Sequence, residues 1–137
     1  MVGRTELGVL HVDDDSAILQ LLVAYLDRRD VEIRLTSVTT GGDALDRLQA
    51  APEAFDVVVC DYSLASPGGV EFLEIMRESF PDLPVIVFTG RAEAEETVRD
   101  HGAADFFVKG DAGTLDDLAE RIVEVVDGFD HRVEPAD

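Results

Sequence analysis

Five polar residues stand directly after apolar runs. Asp13 and Asp14 follow Val9–Val12, Asp61 follows Val57–Cys60, Thr89 follows Val85–Phe88, and Lys109 follows Phe106–Val108. Lys109 is the sole lysine of the chain; the other ten basic residues are arginines. If the four runs are strands of one parallel sheet, their C-terminal ends share a rim, and open α/β sheets bind ligands at that rim. Three carboxylates in one place repel, and unaided at least one would hold its proton more tightly. A divalent cation relieves the repulsion. All-oxygen ligands with few carboxylates suit magnesium, which keeps several waters and bridges to phosphate. An aspartate can act as a nucleophile and become an aspartyl phosphate. One ammonium and one hydroxyl are fitting donors to phosphoryl oxygens. The set therefore points to phosphoryl transfer onto one carboxylate with magnesium assistance. Asp61, alone at the end of a central apolar run, is the expected nucleophile, with Asp13 and Asp14 on the metal side.

The elements that must position these residues follow from the patterning. Strands are expected at Leu7–Val12, Val31–Val38, Phe55–Cys60, Pro84–Phe88 and Asp105–Val108, and helices at Ser16–Arg28, Gly42–Ala50, Val70–Phe80, Ala92–His101 and Thr114–Phe129. In the last helix Leu115, Leu118, Ile122, Val125 and Phe129 keep the three-or-four spacing of one apolar face. Gly41-Gly42 opens the second helix, Pro81 and Pro84 follow the third, and Gly102 stands where a C-terminal glycine cap belongs. Asp15 or Ser16 would cap the first helix. Strict strand–helix alternation predicts an α/β fold, a parallel sheet with helices on both faces. Val57–Cys60 and Val85–Phe88 are continuously apolar, as strands covered on both faces should be. Val31, Ile33 and Leu35 alternate with polar residues, which predicts an edge strand. A loose tail is expected from Asp127, so a single domain should span residues 6–127, with 128–137 a tail or the start of a linker.

Composition narrows the classes. With 137 residues, 11 Lys+Arg and 30 Asp+Glu, the formal charge is −19 and 46% of residues are apolar. This length can bury about 68% of the unfolded surface, and the apolar fraction is too high for a disordered acidic chain. One cysteine excludes an intramolecular disulfide framework and a Cys-based zinc site. No apolar run reaches the ~20 residues of a membrane helix, and no N-terminal signal is expected, so the predicted location is cytoplasmic. The charge predicts no direct nucleic-acid or membrane partner. An even acidic coat suits concentrated salt, where self-repulsion is screened, so a salt-rich cytoplasm is expected. Asp13–Asp15 is no EF-hand loop, because Ile18 and Ala24 occupy the positions that need Gly and Glu. Neither a Walker lysine loop nor a G-x-G-x-x-G turn is present. Cys60 reads as a small buried apolar residue. His11, within a strand, and His101, at a helix end, read as structural.

The ordered set of acidic pair, acceptor, hydroxyl and lysine resembles the response-regulator receiver domain of two-component signalling, over roughly Glu6 to Asp127. The stretch Asp61-Tyr62-Ser63-Leu64-Ala65-Ser66-Pro67-Gly68-Gly69 is similar to that family's loop after the acceptor. The resemblance implies a flavodoxin-like (βα)5 three-layer sandwich with a five-stranded parallel sheet of order 2-1-3-4-5. It implies that Asp61 accepts a phosphoryl group from a histidine kinase or phosphotransfer protein, with Thr89 and Lys109 assisting. It also implies Mg2+ ligated by Asp14, Asp61 and the Ser63 backbone carbonyl, with Asp13 acting partly through water. Thr89 and Phe106 would be the switch residues, and Ser63, Gly90 and Arg91 would tune loss of the phosphoryl group. The changed face, made by the fourth helix, fifth strand and fifth helix, would dock a downstream protein. Its acidic residues predict a monomer or weak homodimer.

Two departures bear on this. Gly110 replaces the family's usual proline after the lysine, so glycine is expected to supply an unusual backbone angle there. Phe106 stands where tyrosine is common, so it can rotate inward but has no hydroxyl to donate. Two alternatives compete: a receiver-like interaction module without phosphotransfer, and an Asp-nucleophile phosphatase. The second wants an aspartate two residues after its nucleophile, where Ser63 stands.

Overall fold

The computed structural model describes residues 6–27, 32–64, 68–110 and 112–133. Five strands, β1 (Glu6–Val12), β2 (Glu32–Val38), β3 (Val57–Cys60), β4 (Val85–Thr89) and β5 (Asp105–Val108), alternate with five helices. These are α1 (Ser16–Asp27), α2 (Gly41–Ala50), α3 (Gly69–Ser79), α4 (Glu95–Asp100) and α5 (Ala112–Val133). All neighbouring strands pair in parallel, in the order β2-β1-β3-β4-β5. This is the flavodoxin-like sandwich expected from the sequence. β3 and β4 are buried at every residue, whereas β2 is buried only at Val38, as an edge strand should be.

Strand alternation divides the core in two. Leu10, Val12, Val58, Cys60, Val85 and Val87 face Leu48, Phe72, Met76 and Val98, from α2, α3 and α4. Leu7, Val9, Val57, Val59, Ile86 and Phe88 face Leu22, Leu26, Leu118 and Ile122, from α1 and α5. Side chains at successive residues point to opposite faces, so an unbroken apolar strand supplies both layers. Each fully buried aliphatic side chain contributes about 1.5–3 kcal/mol.

Local chemistry sets the ends. The Asp15 carboxylate accepts the Ala17 N–H (3.1 Å) at the start of α1. Thr40 caps α2 by accepting the Asp43 N–H (3.1 Å), a cap the glycine pair had masked in the sequence. Gly102 follows α4 at φ +98°, the left-handed geometry expected of a terminating glycine. Arg77 donates to the carbonyls of Pro81 and Leu83, fixing the turn between α3 and β4.

Two expectations need correction. The fourth helical segment is not one helix: Ala92–Ala94 is a 3-10 turn, and α4 begins at Glu95. No side chain caps either segment, so no sequence signal marks the break. α5 runs to Val133, six residues beyond Asp127, where a loose tail was expected. Gly128 weakens a helix by ~1 kcal/mol without stopping it, and the next proline is Pro135. Phe106 is buried, 7% exposed, beside the α3–α4 layer. Val31, Arg28, the side chain of Phe129 and residues 65–67 lie outside the described residues.

Cys60 is buried in the first layer, and burial pushes its thiol far above the ordinary range, the adjacent Asp61 and Asp13 carboxylates adding to this. Folded protein should therefore react with iodoacetamide only as fast as the fold opens. Denaturant should release the thiol at once, and rapid alkylation without denaturant would contradict the packing described.

Candidate functional site

The sheet brings the strand-end residues together. The backbone continues the strand ladders past the last strand residues, and this sets the rim. Asp13 N–H donates to the Val38 carbonyl (3.0 Å), Asp61 N–H to Val12 (3.0 Å) and Lys109 N–H to Thr89 (2.8 Å). Each of these three residues is thus anchored through its backbone to the neighbouring strand as well as its own.

Asp13, Asp14 and Asp61 offer carboxylate oxygens within 4.8 Å of one another, with Asp13 buried and Asp14 exposed. Lys109 Nζ lies 2.6 Å from Asp13 Oδ2 and 3.2 Å from Asp61 Oδ2, so one ammonium serves two carboxylates. The other Asp13 oxygen accepts the Asp15 N–H (3.0 Å), and Asp61 Oδ1 accepts the Ser63 N–H (3.1 Å). Thr89 is buried and its hydroxyl faces Asp61.

The two carboxyls differ in acidity. Burial raises Asp13 above the usual carboxylate range, although Lys109 opposes it. Burial acts on Asp61 too, but the Thr89 hydroxyl, the Ser63 N–H and Lys109 outweigh it and hold that carboxyl below the usual range. Asp61 is therefore fully ionised at neutral pH, as a nucleophile must be. Lys109 is raised despite burial, because Asp13 and Asp61 favour its charged form. One ammonium against three carboxylates leaves net negative charge within a few ångströms. An oxygen-only donor set of this size fits a hard divalent cation.

Around this centre Arg91 is exposed, paired with Glu93 (2.6 Å), and its guanidinium stands 5.9 Å from the Tyr62 ring centroid. A Cβ at Gly90 would meet open space. Gly110 adopts φ +105°, so glycine does supply the unusual angle after Lys109. All nine expected site residues thus lie among the described residues. Asp13, Asp14, Asp61, Thr89 and Lys109 converge, Ser63 adjoins Asp61, and Gly90 and Arg91 flank the mouth. Phe106 stands apart, in the core beneath. The Tyr62–Arg91 contact had no sequence signal, since a cation over a ring depends on loop geometry.

Gly69 holds the loop after Asp61 against α3. A Cβ there would lie 2.3 Å from the Tyr62 carbonyl oxygen and 3.0 Å from its carbonyl carbon, both backbone. Gly69→Ala must displace the loop carrying Ser63. We expect a loss of about 1–3 kcal/mol in urea unfolding, the usual cost of overpacking. Weaker divalent-cation binding should accompany it. A variant of wild-type stability would show that the loop adjusts freely.

The family model described as response regulator receiver domain matches residues 9–122. The regulatory protein LuxO of Vibrio cholerae is 29% identical over 100 residues, covering 72% of this chain and 21% of that protein. The chain thus spans about a fifth of the length of the curated relatives it matches. Among solved structures, a CheY-like receiver domain protein from Methanospirillum hungatei superposes with TM-score 0.74 at 29% identity, covering 92% of this chain and 98% of that one. A receiver domain protein from Clostridium thermocellum superposes with TM-score 0.78 at 22% identity, covering 93% and 99%, and shares the fold. With the sheet order, the convergent rim and a match over most of its length, this chain belongs to the response regulator receiver domain family.

Proposed function

We propose that the domain is a phosphorylation-controlled switch with Asp61 as its acceptor. The observation that carries this is Asp61 held ionised beside Asp13 and Asp14, with Lys109 and Thr89 as donors. One Asp61 oxygen bonds to phosphorus as the donor's bond to that phosphorus breaks and the leaving group keeps the electron pair. The Lys109 ammonium and Thr89 hydroxyl turn to the phosphoryl oxygens, where charge builds. Asp13, Asp14, Asp61 and the Ser63 carbonyl would hold Mg2+, which when bound neutralises that charge. Ser63, Gly90 and Arg91, at the mouth, would set how readily water reaches the acyl phosphate. The domain catalyses only its own phosphorylation and dephosphorylation.

The donor is a histidine kinase or phosphotransfer protein. Thr89 and Phe106 pass the change to the face of α4, β5 and α5, which docks a downstream protein. Asp105 on that face pairs with Arg99 (3.1 Å) and Arg121 (2.8 Å), bridging all three elements. The location proposed is the cytoplasm, and a monomer or weak dimer the resting state. No helix among the described residues is long and apolar enough to cross a membrane.

The test is intact mass after incubation with acetyl phosphate and Mg2+, in molar KCl to match the acidic coat. One added phosphoryl group, absent when EDTA is present, is expected. No adduct, with no binding of beryllofluoride, would favour the interaction-module reading.

A further inference from the structure

His11 is a buried polar group beside the site that the chemistry above leaves unused. It lies on β1 two residues before Asp13, so both side chains belong to one face of the strand. The residue is 1% exposed, and neither ring nitrogen has a hydrogen-bond partner among the described residues. A neutral imidazole has one N–H to donate and one lone pair. The His11 Nε2 stands 4.0 Å from Asp13 Oδ2, the oxygen that Lys109 approaches to 2.6 Å.

We propose that His11 is a positioning residue for Asp13, its Nε2–H donating to Asp13 Oδ2 once Lys109 leaves that oxygen. This deepens the switch reading and rests on it. Lys109 bridges Asp13 and Asp61, and turning to a phosphoryl group on Asp61 draws it from Asp13. Asp13 Oδ1 is engaged by the Asp15 N–H. Without a second donor, Oδ2 would be a buried anionic oxygen with no partner, which is costly. Closing the gap from His11 needs a shift of about 1 Å, within reach of a small ring rotation. The ε tautomer this requires leaves Nδ1 as an unpaired acceptor, better tolerated in a core than an unpaired N–H. A donor behind a ligating carboxylate fixes its orientation, and loss of such a partner weakens metal binding about 10–100-fold.

Long-range 1H–15N spectra of the wild-type ring test the geometry directly, first with Mg2+ alone and then with beryllofluoride added. The expected result is the Nε2–H tautomer, its proton shifting downfield on loading. An Nδ1–H tautomer in the loaded protein would overturn the proposal. Mg2+ affinity is measured in parallel with beryllofluoride present, the state in which Lys109 has turned from Asp13. His11→Val should bind about tenfold more weakly than wild type, and His11→Gln, whose amide can donate, should recover most of the loss. Unchanged affinity in folded His11→Val would also overturn it. If the valine variant does not fold, the wild-type spectra and the glutamine variant decide. Wild type that binds no Mg2+ would sink the cation site and this role with it, whereas wild-type binding with an indifferent valine variant would sink only the role of His11.

Discussion

Asp61→Asn is expected to take up no phosphoryl group from acetyl phosphate and Mg2+ while folding as the wild type does. Asparagine keeps the shape of the side chain and an oxygen to accept the Ser63 N–H. It removes the anionic oxygen that must form the new bond, and removal of a nucleophile costs about 10⁴-fold or more. Lys109 keeps its closer partner, Asp13 at 2.6 Å, so the pocket does not lose its ion pair. The carboxylates of the cluster fall from three to two, so cation binding should weaken as well. Intact mass of the two proteins side by side decides the matter. An adduct on the variant would move the acceptor to Asp13 or Asp14.

Lys109→Met carries the next largest effect, and it is double. Phosphoryl uptake should slow by about a hundredfold, the scale for losing one preorganised donor to a developing charge. The fold should also lose stability, because Asp13, whose side chain is only 1% exposed, then faces Asp61 with no cation between them. Breaking a buried pair costs about 3–5 kcal/mol, and partial exposure of Lys109 lowers the expectation to about 2 kcal/mol. The sign of the pH dependence follows from the raised pKa values of Lys109 and Asp13. Lysine's contribution is complete below its ordinary pKa and is lost only as the pH climbs through the raised one. In the variant, acid relieves the strain, since Asp13 takes a proton sooner than an ordinary carboxyl. The gap between wild type and variant in urea unfolding should therefore narrow from pH 7 to pH 4.5. An equal gap at both would mean that Asp13 does not feel Lys109.

Much of this was readable because the chemistry is punctuated by the strands. Asp61, Thr89 and Lys109 each end an apolar run, and parallel pairing carries such ends to one rim. The polar alternation of Ile33 and Leu35 marked β2 as an edge. What escaped depended on distance in space or on weak local signals. Gly41-Gly42 drew attention from the Thr40 cap beside it. The split of the Ala92–His101 segment has no capping side chain to announce it. The length of α5 turned on one glycine that weakens a helix without stopping it. His11 shares a strand face with Asp13 by simple alternation, so the pairing was legible. Its unpartnered nitrogens were not, because burial comes from α1 and α5 closing over the sheet. Phe106 could be named as a switch candidate by position, but its inward rest state depends on packing against α3 and α4.

The single ammonium between Asp13 and Asp61 has a practical consequence. Lys109 is the only side-chain amine in the protein, so acylating reagents have one lysine to modify, and it stands inside the pocket. Acetyl phosphate has two transferable groups. Its phosphoryl would go to the Asp61 oxygen with acetate leaving; its acetyl would go to the Lys109 nitrogen with phosphate leaving, once that ammonium has given its proton to water, and the second reaction would silence the first by erasing the charge that assists it. The two adducts differ in mass and in lability to hydroxylamine. A time course with this donor thus reports on both occupants of one ion pair, and faster acetylation of the amine on adding Mg2+ would show when the carboxylates have exchanged one cation for another.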